Sequence, residues 1–80
     1  MILPSKHINF SQSLLGFGSY LLENLKRPKS VDELWRQYNL DYKNGNYHAK
    51  QTFDNLILAL IFLYGINAIS ETKGLISKCN

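Results

Sequence analysis

Residues 56–66 read Leu-Ile-Leu-Ala-Leu-Ile-Phe-Leu-Tyr-Gly-Ile, a run without one charged side chain. It falls far short of the roughly 18–20 residues that cross a bilayer as a helix. A helix that is apolar on all sides is normally buried on more than one of them. In a chain of 80 residues only one side can face the chain's own core. The other side needs cover. The usual supplements of a small core are missing. Cys79 is the only cysteine, so no disulfide can form within the chain. His7, His48 and Cys79 lie too far apart in sequence for a zinc-ligand pattern. What remains is oligomerisation or a partner subunit. Charged residues make up 19% of the chain, against about 25% in an ordinary domain, which agrees with a partly covered surface.

Reading along the chain gives the following elements. Residues 1–10 form an extended arm, because Pro4 lacks a donor and turns Leu3 away from helix. A first helix over 11–27 is capped by Ser11 or Ser13, with Leu14, Leu15, Tyr20, Leu21, Leu22 and Leu25 on its apolar face. Lys26 and Arg27 suit its C-terminal dipole, and Pro28 ends it. Gly16 and Gly18 either admit another backbone closely or mark a late, frayed start. A second helix over 31–43 opens on Ser30-Val-Asp-Glu33, a capping box, and shows Val31, Leu34, Trp35 and Tyr38 on one face. Asn44-Gly-Asn46 is a turn. A third helix over 48–64 presents Phe53, Leu56, Ile57, Leu60 and Tyr64 as its core stripe, and Gly65 is a natural stop. A β-hairpin over 67–79 turns at Thr72-Lys-Gly74.

Three helices and a hairpin in this order make a mostly helical α+β domain of winged-helix-like type, a single domain over 1–80. In such a domain the third helix usually reads DNA, and that task needs several side chains that reach base edges. Here Lys50, Gln51 and Asn55 are the only such groups, arginine is absent, and Asp54 repels phosphate. The surplus apolar side chains read better as a protein interface. The contact residues expected are Ile2, Leu3, Pro4, Lys6 and His7 of the arm, with Phe17, Leu58, Phe62 and Leu63. The rival reading is a small DNA-binding regulator touching phosphates through Lys43, Lys50, Gln51, Lys73 and Lys78, or at least weak non-specific DNA contact. The same lysines also serve simply to solvate exposed faces.

Enzymatic chemistry finds no support. The six acids are dispersed, the histidines sit in the arm and a turn, and Gly16-Phe-Gly18 lacks the rest of a nucleotide fingerprint. No cofactor, metal or small-molecule substrate is expected. The first residues lack the basic start and apolar stretch of a signal peptide, and no membrane-surface helix is evident. The expectation is a soluble, cytoplasmic chain.

Several short motifs in fixed order carry a family resemblance. They are Ile2-Leu-Pro-Ser-Lys-His-Ile8, Ser13-Leu-Leu-Gly16, Val31-Asp-Glu-Leu-Trp35, Thr52-Phe-Asp54, Leu58-Ala-Leu60 and Leu63-Tyr-Gly-Ile-Asn-Ala-Ile69. Together they resemble the small middle components of bacterial ABC-three component systems, most closely the subtype numbered six. The resemblance implies a non-catalytic subunit between an SMC- or Rad50-like ABC ATPase and an effector enzyme, in a Lamassu-like defence against phage and plasmids. The chain departs from that pattern in being lysine-rich and arginine-poor, and in its turn at residues 44–47. Neither departure touches the apolar helix, and the resemblance brings no catalytic residues with it.

Overall fold

The computed structural model describes residues 5–79, with side chains described from Leu14 onward. The chain is mostly helical, three helices followed by a two-stranded antiparallel hairpin: α1 (Ser5–Glu23), α2 (Val31–Lys43), α3 (Phe53–Gly65), β1 (Ile69–Thr72) and β2 (Leu75–Lys78).

The first helix departs from expectation at both ends. Residues 5–10 are helical rather than extended, and Ile2, Leu3 and Pro4 lie outside the described residues. The helix stops at Glu23, so Lys26 and Arg27 lie in the connection and do not cap its last turn. Asn24 closes that end, its side-chain amide donating to the Tyr20 carbonyl at 3.0 Å. Phe17, Leu21 and Leu25 point into the core, whereas Leu15 faces outward. Gly18 faces Leu63: a Cβ there would stand 3.4 Å from Leu63 Cδ2, an ordinary van der Waals contact.

Helix α2 carries the full capping box. Ser30 Oγ accepts from the Glu33 amide at 3.1 Å, and Glu33 Oε1 accepts from the Ser30 amide at 2.9 Å. Leu34 and Tyr38 are buried, with Val31 and Trp35 packed beside them.

Helix α3 begins later than residue 48. Thr52 is its cap, accepting from the Asn55 amide at 3.1 Å. The preceding segment is held instead by Tyr38, whose hydroxyl accepts from the Gln51 amide at 2.6 Å and donates to the Ala49 carbonyl at 3.1 Å. At the other end, Gly65 is still helical. The left-handed residue is Asn67, at φ 63°. The Asn67 amide donates to Tyr64 O at 3.0 Å and the Ala68 amide to Leu63 O at 2.8 Å, the bond pair of a Schellman ending.

The hairpin turns on Lys73 and Gly74, both with positive φ, as a two-residue type I′ turn requires. Ile69 and Ile76 enter the core from the hairpin. Beyond β2, the Lys29 and Ile76 backbones exchange hydrogen bonds of 3.0 and 2.7 Å, which ties the α1–α2 connection to the sheet.

Candidate interaction surface

The buried residues of α3 are Leu56, Ala59, Leu60 and Leu63. Their spacing is helical, but their centre is rotated by about 70° from the stripe expected, at 100° per residue. Phe53 and Tyr64, expected in the core, are 41% and 61% exposed. The reason is the neighbour set. α1 and the α2 aromatics cover one side of α3, and the hairpin covers only part of the next.

An apolar face is therefore left outward. Ile61 is 61% exposed, Leu58 46% and Ile66 56%. Ile57, Ile61 and Tyr64 follow i, i+4, i+7 spacing, so they adjoin on one stripe. Between this stripe and the hairpin runs an open groove of about 280 Å³, lined by Val31, Ile57, Ile61, Tyr64, Ile69 and Ile76 among others. Glu71 stands at the hairpin side, its carboxylate accepting from the Gly74 amide at 2.7 Å. A concave apolar surface of this kind releases water when a complementary side chain enters it.

The residues expected to make contacts separate into distinct groups. Leu58 is exposed and Phe62 is half-buried against the core. Phe17, at 0% exposure, and Leu63, at 3%, belong to the core and offer no outward surface. Phe17 was drawn inward by an aromatic cluster, its ring centroid 5.3 Å from that of Tyr38 and 5.8 Å from that of Tyr47. Lys6 and His7 lie on the first turns of α1. Of the groups expected to touch DNA, Gln51 is buried, with its side-chain oxygen accepting from Asn55 at 2.9 Å, and cannot reach a base. Lys43 ends α2, Lys50 lies in the segment before α3, Lys73 is at the hairpin tip and Lys78 ends β2; all four are exposed. Sequence reasoning missed Ile61, Tyr64 and Ile66 as surface residues.

A polar network lies beside the aromatic cluster. The Tyr20 hydroxyl donates a hydrogen bond to Asp41 Oδ2, and Gln37 donates to Oδ1 of the same carboxylate at 3.0 Å. Burial, then the bond to Asp41, lifts the Tyr20 phenol well above its ordinary range. Burial also raises Tyr47, with its bond to Gln51 working the other way. These groups link α1 to α2 and are accounted for by structure. Among the described residues no helix is long and apolar enough to cross a membrane.

The family model described as "ABC-three component (ABC-3C) system Middle Component 6" matches residues 3–79, nearly the whole chain. No curated protein and no solved structure matches it.

Proposed function

The chain belongs to the Middle Component 6 family of ABC-three component systems, and from that premise we propose that it is a non-catalytic bridge between an SMC- or Rad50-like ABC ATPase and an effector enzyme. Membership of a three-component system implies assembly with the other components. The observation that supports the finer reading is the uncovered α3 face. Residues 55–70 carry no charge, yet Ile61 and Tyr64 are each 61% exposed. Holding that much apolar surface in water is unfavourable by about 25 cal/mol per Å². A subunit that is normally bound hides it.

On this reading the groove between α3 and the hairpin takes a bulky apolar anchor from a neighbouring subunit, and Leu58 and Ile66 extend the contact. The three helices and the hairpin then serve as a winged-helix-like adaptor, one whose third helix faces protein instead of a major groove. Defence against phage or plasmids, in a cytoplasmic Lamassu-like complex, is the setting we propose.

The test is co-expression with the genes that flank it, followed by affinity capture and size exclusion. The wild-type chain co-elutes with a large coiled-coil ATPase and a second enzyme. Ile61→Asp with Tyr64→Asp releases the chain from the complex, while circular dichroism shows it still helical. A wild-type chain that elutes alone, with its neighbours expressed, refutes the bridging role. Full assembly by the folded double variant refutes the assigned face.

A further inference from the structure

The chain has only two arginines, Arg27 and Arg36, and both line one cleft. Lys29 completes its basic wall, and the cleft measures about 140 Å³. A second shallow cleft of about 310 Å³ adjoins it, lined by Lys26, Arg27 and Lys29 with Glu23 and Asn24. Because the two share Arg27 and Lys29, they form one track bearing four cations.

The track is built on fixed backbone. Pro28 locks its own φ, Lys29 is tied to Ile76 by two backbone hydrogen bonds, and Arg36 rides on capped α2. Two carboxylates lie along it. Glu33 is already engaged by the Ser30 amide at 2.9 Å and is held below the ordinary carboxylate range chiefly by that bond, with Arg27 and Lys29 adding to the effect. Glu23 lines the second cleft beside the cations. Among the described residues no carboxylate closes an ion pair on any of the four cations.

We propose that this track is a docking site for the phosphate backbone of nucleic acid. Arginine presents a planar fork that matches phosphate oxygens, and a row of four cations suits an anion that repeats. A protein partner needs a buried apolar anchor. Among the described residues Leu40 is the only large apolar side chain lining the track, whereas most of the exposed large apolar side chains lie on or just after α3. The site differs from the one expected at Lys50 and Lys73, and it stands whether or not the bridging role does. The contact expected is sequence-independent, because the two side-chain amides that line the track, Asn24 and Gln37, already donate to the Tyr20 carbonyl and to Asp41.

Fluorescence anisotropy with a labelled duplex of arbitrary sequence tests the proposal on the purified chain. Binding at about 50 mM salt is expected, with log K falling against log salt at a slope of about −3 to −4 for four phosphate contacts. Arg27→Gln with Arg36→Gln weakens binding at least about tenfold and lowers the slope by about two. Both side chains are exposed, so the variant keeps its unfolding midpoint. Lys50→Ala with Lys73→Ala binds as the wild type does. Absence of binding at low salt overturns the proposal, as does a folded arginine variant that binds normally. Loss of binding in the lysine variant alone moves the contact to the hairpin side and overturns it too. Competition by polyglutamate as effective as by unlabelled duplex assigns the track to an acidic protein instead.

Discussion

Adjacent residues of α3 provide the sharpest test of how this helix is seated. Leu60 is 7% exposed and Ile61 is 61% exposed. Leu60→Ala removes three buried carbons beside Val31, Ile69 and Ile76, a change that costs about 3 kcal/mol. Ile61 hides less than half of its surface in the isolated chain. Full burial of such a side chain contributes about 2–3 kcal/mol, so Ile61→Ala costs about 1 kcal/mol or less. An 80-residue domain holds only about 4–12 kcal/mol in all, so the two variants differ visibly. With a urea m-value near 1 kcal/mol per M, Leu60→Ala lowers the midpoint by about 3 M and Ile61→Ala by under about 1 M. The assay is urea unfolding followed by helical circular dichroism, with m compared between variants. Equal losses refute the reasoning, because they mean that Ile61 is core and the outward face has been placed wrongly. In the assembled complex Ile61→Ala weakens partner capture by far more than its small effect on stability accounts for, whereas Leu60, which also lines the groove, acts on both.

Two further outcomes follow from the polar groups. Tyr38→Phe keeps the ring contacts but removes the acceptor used by the buried Gln51 amide and the donor to Ala49; it costs about 2 kcal/mol and lowers Tm by about 10 °C, and an unchanged melting curve refutes the role given to this hydroxyl. Tyr20 has its phenol pKa raised on folding, so its contribution is fully present below the unfolded value of about 10 and is lost as pH climbs toward the folded one. Stability therefore falls above about pH 10, and Tyr20→Phe flattens part of that alkaline fall, with Tyr47 supplying a further share of the same sign. A variant whose Tm declines with pH as steeply as the wild type's counts against the Tyr20–Asp41 bond.

Local chemistry was legible wherever one residue type does one job. Ser30 and Glu33 cap α2 because their spacing lets each reach the other's amide, and no tertiary context is needed. The hairpin needs a residue that tolerates positive φ, and Gly74 supplies it. The α1 boundaries were not legible. Pro4 argues for extension only at its predecessor, and the helix begins just after it. At the far end, residues 24–27 contain no strong breaker, so the stop at Glu23 rests on Asn24 and on the tie between Lys29 and Ile76. The α3 ending was not legible because Gly65 is the commoner left-handed residue, while Asn67 takes that conformation, its own amide closing the Tyr64 carbonyl and the Ala68 amide closing that of Leu63.

The seat of α3 was the least legible feature, and the reason bears directly on the candidate surface. On an amphipathic helix the polar face announces which way is out. Helix α3 has no such face after Asn55, so its sequence fixes that it is helical and leaves its rotation open. The rotation is set from outside, by Gly18 facing Leu63 and by Phe17, Leu21 and Tyr38 in the same core cluster. A leucine, alanine or isoleucine on such a helix becomes core or contact surface according to which neighbours the rest of the chain supplies. Among the described residues, α1, α2 and the hairpin leave Ile61 and Tyr64 uncovered. The outward apolar face is thus a consequence of a helix with more apolar sides than the described elements pack against.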